Sequence, residues 1–396
     1  MRLKLSVVVA VVLFVALTVC NDTPAKTDMA SGIVTQGIIV NPDSVQFSFV
    51  FMGCNRVDGK DINDSNTNAS TANVPELQRT FTEVSGLNPK PVFFFFLGDE
   101  VLGLTQKTKT LQDELKAWRK QYADTTFSPL PASGIQMIAI PGNHEMLYSG
   151  KDKKGNHVEL PNSQAITVWI KEMNSFVPAK IPLNHVGGPD SLDNRMTYSF
   201  TYGNTHFILI NTDTYDTAGV IGMAPAAWIN ADIIAARKDT AVKHIFLLGH
   251  KPAIVNKGLY EADGDDTMDT SVVKSIWPVM DSNKVEAILS AHSHQYNRKQ
   301  PDSSKAYQVI AGNGGSPYEG AIQHKDSIAR QFFGYTIVYI MKNNNVVVQS
   351  MGRTVKYKDY LETLKPGDST TVRDLVNISW GTHAGDYSPA KQLKGQ

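Results

Sequence analysis

Charge of either sign is scarce in this chain, and the two signs cancel. Lys plus Arg number 38 and Asp plus Glu 38, so the formal net charge is zero. Charged residues make up 19%, below the roughly 25% of an average globular protein. That balance argues against a nucleic-acid binder, which carries a basic excess, and no basic patch or base-stacking pocket is evident. Cysteine is scarcer still, with two in 396 residues, Cys20 and Cys54. Internal repeats and low-complexity tracts are lacking, which excludes solenoids and arrays. A hydrophobic fraction of 42% is enough for a sizeable core, in one large domain or two smaller ones.

The N-terminus reads as an export signal. Met1-Arg2-Leu3-Lys4 is a short positive segment, and Leu5 to Val19 is an apolar stretch of signal-peptide length, short for a membrane span. Its end, Leu17-Thr18-Val19-Cys20, resembles a bacterial lipobox, with Val19 where a small residue is usual. Lipidation of Cys20 would leave Cys54 alone and preclude an internal disulfide. The expected location is therefore the bacterial cell envelope, periplasmic or at the outer membrane through a lipid anchor, or secreted. Asn-X-Ser matches at Asn63, Asn68 and Asn377 carry little weight in that setting. The expected organisation is residues 1–20 signal peptide, 21–45 tether, 46–360 catalytic domain and 361–396 C-terminal extension.

Between residues 46 and 351, strand-like runs alternate with helical spacing, which predicts an α/β fold. Strands are expected at Gln46–Met52, Val92–Leu97, Ile135–Ile140, His244–Leu248, Val285–Ser290 and Tyr307–Ile310. The tetraphenylalanine run 93–96 is what a strand buried on both faces requires. Hairpins are expected for Met196–Phe200 with His206–Asn211, and for Tyr335–Met341 with Asn345–Met351. Helical spacing covers Pro75–Leu87, Thr105–Tyr122, Ser163–Phe176 and Pro225–Arg237. Polar insertions at 58–74, 146–162 and 253–270 are placed to rim a cleft and set substrate choice.

One event recurs: strand, small-residue turn, then a side chain able to bind a metal or move a proton. It occurs at Gly53-Cys54, Gly98-Asp99, Gly142-Asn143-His144, Gly249-His250 and Ala291-His292-Ser293-His294. Singly, an Asp after a strand is usually a cap and a His is usually a packed or surface residue. Jointly they put a carboxylate, an amide oxygen and several imidazoles at carboxyl ends of strands, where α/β sheets build sites. Such a donor set suits Zn, Fe, Mn or Ni rather than Ca or Mg. A carboxylate among nitrogen ligands can bridge two ions roughly 3.5–4 Å apart, an arrangement suited to displacement at phosphorus.

Gly98-Asp99, Gly142-Asn143-His144-Glu145, Gly249-His250 and His292-Ser293-His294 resemble, in order and sheet context, the calcineurin-like metallophosphoesterases, which include the purple acid phosphatases. The resemblance spans roughly residues 46–315. It implies a four-layer α-β-β-α sandwich of two mixed sheets and hydrolysis of phosphate mono- or diesters by metal-activated water. It further implies that Asp99 bridges two metals, that Asn143, His250 and His292 hold the second, and that His294 helps hold the first. His144 would act as a general acid or stabilise phosphoryl oxygens. The family's first motif, Asp-X-His, is Cys54-Asn55-Arg56 here, and Leu102 stands where purple acid phosphatases have a tyrosine. Cys54 can substitute as a thiolate ligand, Asn55 offers a weak oxygen ligand, and the Arg56 fork suits a phosphate. The same departure keeps open an alternative, a non-catalytic or single-metal binding or scaffold protein on this fold. Lys251, Tyr260 and Asn313 are further candidates to touch substrate.

Overall fold

The computed structural model describes residues 40–57, 69–124, 126–127, 129–178, 184–185, 195–254, 267–317, 328–330, 332–353 and 369–381. All of them fall in the unit Thr35–Gln396. The expected signal segment, Cys20, most of the tether and Tyr260 lie outside the described residues.

The first half carries β1 (Val45–Met52), α1 (Val74–Ser85), β2 (Phe93–Leu97), α2 (Thr108–Ala123), β3 (Gln136–Ile140), the short α3 (Asn143–Met146), β4 (Leu147–Lys151), β5 (His157–Pro161) and α4 (Ala165–Met173). The second half carries β6 (Asn184–His185), β7 (Tyr198–Tyr202), β8 (Thr205–Ile210), β9 (Thr214–Tyr215), β10 (Ile221–Met223), α5 (Ala226–Lys238), β11 (His244–Gly249), α6 (Thr270–Ser282), β12 (Ala287–Ser290), β13 (Tyr296–Lys299) and β14 (Tyr307–Ala311). Then come β15 (Ile328–Arg330), β16 (Phe333–Met341), β17 (Val346–Arg353) and β18 (Thr371–Asn377). Two mixed sheets result, six strands in the order β18-β17-β16-β1-β2-β3 and eight in the order β15-β13-β14-β12-β11-β8-β7-β6.

Side-chain alternation assigns each strand face to a different core. In β2, Phe94 and Phe96 join one core, whereas Phe93, Phe95 and Leu97 join another. In β8 and β11, Phe207, Leu209, Phe246 and Leu248 join that second core, and Ile208, Ile210, Ile245 and Leu247 a third. The second core thus draws on both sheets. Phe49 joins them directly, its ring centroid 5.6 Å from Phe95, 5.1 Å from Phe207 and 5.5 Å from Phe246. The first core adds Leu77 and Phe81 of α1, Leu111, Leu115 and Trp118 of α2 and Trp169 of α4. The third adds Ile229 and Ile233 of α5 and Val273, Ile276 and Met280 of α6. Runs that look uniformly apolar are strands covered on both faces, as α/β layering demands.

Parallel pairing places the loops. β1, β2 and β3 run parallel to one another, and so do β8, β11, β12 and β14. Their carboxyl ends therefore align within each sheet, and the residues that follow them can meet. The Gly98 and Gly142 turns let the first sheet's loops close up. A β-carbon on Gly98, whose φ is +85°, would lie 2.6 Å from the Gly142 nitrogen, and one on Gly142 would lie 2.8 Å from His250 Cε1. Neither contact is tolerable, so both positions require glycine.

Two departures from the sequence expectation bear on the site and its domain boundaries. The polar insertion after residue 146 contains the β4–β5 hairpin, paired from Leu147↔Pro161 to Lys151↔His157. The stretch expected as a C-terminal extension contributes β18, paired antiparallel to β17.

Candidate metal centre

Five strand ends deliver the candidate residues. Cys54 follows β1, Asp99 follows β2, Asn143 and His144 follow β3, His250 follows β11, and His292 and His294 follow β12. All are buried.

Four donor atoms converge around Asn143. Its Oδ1 lies 3.0 Å from His250 Nε2 and 3.3 Å from His292 Nδ1. His250 Nε2 lies 3.1 Å from His292 Nδ1 and 3.2 Å from Asp99 Oδ1. Donors about 2.0–2.2 Å from a shared ion in tetrahedral array stand roughly 3.3 Å apart, so these spacings fit a single ion. His250 Nδ1–H donates to the Leu97 carbonyl at 2.7 Å, which leaves the Nε2 lone pair facing the cluster. A second group, Cys54, Asp99 and His294, brings one ligand atom from each residue within 4.8 Å of the others. His294 Nδ1–H donates to the Pro317 carbonyl at 2.6 Å, and so Nε2 is the nitrogen left for a ligand bond.

The electrostatics fit a cation. Burial holds His292 and His294 well below the ordinary imidazole range and lowers His250 as well, so their lone pairs are available at neutral pH. Burial also pushes the Asp99 carboxyl up to about 8, against the attraction of Arg56. A buried carboxylate in that position lacks the positive charge that a metal would supply.

Residues 48–296, more than half of the chain, match the calcineurin-like phosphoesterase family. The chain belongs to that family. Two uncharacterized Mycobacterium tuberculosis proteins, one from each of two strains, are 26% identical to it over 112 residues, 26% of this chain and 20% of each of theirs. The chain spans about a fifth of the length of these curated relatives. Among solved structures it is similar to a purple acid phosphatase from yellow lupin, with a TM-score of 0.51, 17% identity and coverage of 85% of this chain and 55% of that one. It is also similar to GAP50 of Plasmodium, the anchor in the inner membrane complex, with a TM-score of 0.51, 13% identity and coverage of 88% and 93%. At such identities the likeness is one of fold.

The remaining candidates border the two clusters. Arg56 Nε stands 4.0 Å from Asp99 Oδ2 and is buried without a hydrogen bond. His144 Nε2 is also 4.0 Å from Asp99 Oδ2, while its Nδ1–H donates to the Leu102 carbonyl. Leu102 thus orients His144 through its backbone. Burial, then Arg56, hold His144 well below its ordinary range, so the resting imidazole is neutral. Asn55 donates Nδ2 to the Gly314 carbonyl at 2.8 Å, which ties two loops together. Lys251 is fully buried with Nζ 3.3 Å from Asp213 Oδ1, and Asn313 is buried with neither side-chain polar atom hydrogen-bonded.

Several supporting carboxylates were given no role by the sequence reading. Glu145 accepts backbone N–H groups from Asp99 at 3.0 Å, Val101 at 3.1 Å and Gly142 at 2.8 Å, so one carboxyl fixes both ligand turns. Burial pushes it up to about 7, with Asp99 adding to the rise. Glu100 is pushed well above the ordinary range by burial and by Glu145 beside it. Glu159 of β5 accepts from Asn143 Nδ2 at 2.6 Å, which turns Oδ1 toward the imidazoles. The Glu following Asn-His was visible in sequence. Glu159 was not, because its partner lies across a hairpin that polar residues conceal.

Proposed function

We propose that this phosphoesterase is exported from a bacterial cell, lipid-anchored at Cys20, and hydrolyses small phosphate mono- or diesters with two transition metal ions, from among Zn, Fe, Mn and Ni. The observation that carries the catalytic part is the four-donor cluster of Asp99, Asn143, His250 and His292 beside the Cys54–Asp99–His294 group. Metal ions held there supply Lewis acidity, which lowers the pKa of water towards roughly 7 and offsets phosphoryl charge. Asp99 is common to both groups and holds them in register. Arg56 offers its guanidinium on the Asp99 Oδ2 side, where the planar fork fits two phosphoryl oxygens. His144 Nε2 faces the same side; with Nδ1–H committed to the Leu102 carbonyl it presents a lone pair, so it would first take a proton from water and then pass it to the leaving oxygen. The N-terminal signal and lipobox-like sequence support export.

The catalytic reading is tested with 4-nitrophenyl phosphate and bis(4-nitrophenyl) phosphate, using protein purified without chelators and supplied with each metal in turn. Hydrolysis with at least one is expected, and folded protein inert with all four refutes the reading. For the anchor, labelled palmitate should enter the wild type and not Cys20→Ser; labelling of neither refutes it.

A second reading, a single-metal or scaffold protein, is favoured by Cys54 and Arg56 in place of the family's Asp-X-His. Elemental analysis separates the two. Close to two metals per chain, falling to one in Cys54→Ser, contradicts the single-metal version.

A further inference from the structure

Beside the four-donor cluster lies a cavity of about 500 Å³, walled by Met146, Ile166, Tyr215, Asn211, Asp213 and Asp216 among others. Its position follows from the strand register. Gly249 of β11 pairs with Ile210 of β8, so Asn211 and His250 leave neighbouring strand ends. The Lys251 N–H donates to Thr212 Oγ1 at 2.8 Å, and Lys251 Nζ is 3.3 Å from Asp213 Oδ1. One wall is therefore fastened to the segment that presents His250. The opposite wall includes Met146, in the same short helix as Asn143 and His144. The cavity thus shares both of its walls with chain segments that carry the four-donor cluster.

The lining is chemically one-sided. Met146, Ile166 and Tyr215 offer apolar surface, Asn162, Asn211, Thr214 and Thr217 offer uncharged polar groups, and among the described residues the only charged lining side chains are two carboxylates, Asp213 and Asp216. Asp216 spends its Oδ1 on the Ala218 and Val220 N–H groups, both at 2.9 Å. Among the described residues, no Lys, Arg or His lines the space. The volume is that of a small-molecule site, roughly 300–1,000 Å³, well beyond the needs of a phosphoryl group.

We propose that this cavity receives the alcohol portion of the ester, and that it selects an uncharged or cationic group with an apolar body of about ring size. A leaving group with its own carboxylate or phosphate would face Asp216 in a partly desolvated space, where the nearby cation, Lys251, is already engaged by Asp213. Nucleoside polyphosphates are thereby excluded, and neutral aryl or alkyl phosphates are favoured. The inference rests on the phosphoesterase reading and adds the substrate class.

The test compares 2-naphthyl phosphate with the same ester carrying a 6-carboxylate, in wild type and in two variants that fill the space, Ile166→Trp and Thr217→Trp. Thr217 is exposed, so its replacement leaves the core intact even if Ile166→Trp fails to fold. The wild type should favour the uncharged ester by roughly tenfold or more in kcat/KM, and each variant should lose about that factor for it. Competitive inhibition by inorganic phosphate should stay unchanged in the variants, since phosphate meets only the metal face. Equal kcat/KM for the two esters, or variants with undiminished turnover of 2-naphthyl phosphate, overturns the assignment. Should no ester turn over with any metal, the phosphoesterase reading fails, and equilibrium dialysis of 2-naphthol judges the cavity separately. Binding to wild type that both variants lose sustains the site, and no binding to wild type overturns it.

Discussion

Left-handed backbone is uncommon outside glycine, yet Cys54 has φ of 58°, Asp99 58° and His292 62°. Three candidate ligand positions thus store backbone strain of about 1–3 kcal/mol each, which the surrounding structure must hold. At Cys54 it is held by backbone bonds, the Cys54 N–H to the Gly98 carbonyl and the Asn55 N–H to the Asp99 carbonyl, both at 2.9 Å. Such a constraint aims Sγ at Asp99 and His294, where a merely space-filling cysteine would need no special conformation. A thiolate in this group favours Zn or Fe over Mn, whereas the family's carboxylate accommodates Mn well. In mixed-metal dialysis, Cys54→Asp should keep two metals per chain with a lower Zn:Mn ratio, and Cys54→Ala should lose one metal. Unchanged metal content in Cys54→Ala would show that the thiol is not a ligand.

The element that sequence conceals, the β4–β5 hairpin, reaches the site through one side chain. Glu159 fixes the Asn143 amide at 2.6 Å, and its other oxygen is 4.0 Å from Lys251 Nζ. Glu159→Ala should weaken metal binding at the Asn143 cluster by roughly 10–100-fold while leaving the Cys54 group intact, as read by chelator competition. An unshifted affinity would mean the hairpin only covers the site. Strands β1, β2, β8 and β11 were legible because burial on both faces demands unbroken apolar runs. β4 and β5 were not, because most of their residues are exposed or half-buried and hydrophobic alternation has nothing to record. β13 fails for the opposite reason: Asn297, Arg298 and Lys299 are buried, so polar residues occupy a strand that sequence pattern assigns to a loop. α6 contains Pro278 in its interior, which breaks the expected helical signal.

Helix α2 makes the site's outer turn sensitive to pH. Glu114 accepts the Gly103 N–H at 3.0 Å, and burial pushes its carboxyl up to about 7, with that bond opposing and Glu145 adding. The folded protein keeps this proton up to about pH 7, whereas the unfolded chain releases it near 4.5, the ordinary value. The folded state therefore binds more protons between these values, and stability falls as pH rises through the window. Glu114→Gln removes that dependence. Its denaturation midpoint relative to wild type should be higher at pH 8 than at pH 5. A difference that is flat, or that falls with pH, would contradict the assignment.

At the scale of the whole molecule, candidate ligands come from both sheets, Cys54, Asp99 and Asn143 from one and His250, His292 and His294 from the other, so the site exists only while the sheets keep their register. The ligand types and their order were readable in sequence because each follows its own strand locally. What holds the sheets together was not, since it depends on contacts between residues far apart in the chain. One such tie is Asp374 of β18, in the six-stranded sheet. It accepts the Tyr296 hydroxyl at 2.8 Å and Arg298 Nε at 2.7 Å, both from β13 in the eight-stranded sheet. Arg298 and Asp374 side chains are each only 5% exposed, so removing the acid strands a buried guanidinium. Asp374→Ala should cost about 3–5 kcal/mol, measured as a lowered denaturation midpoint. The partner replacement Arg298→Met removes the stranded charge, so adding it to Asp374→Ala should restore part of the loss, and a double-mutant cycle with no coupling would show that the tie does not bind the sheets. Truncation at residue 360, where sequence composition suggested that the catalytic domain ends, removes β18 as well. It should therefore destabilise the protein at least as much as Asp374→Ala and lower its metal content, because ligands from the two sheets then no longer share a fixed register.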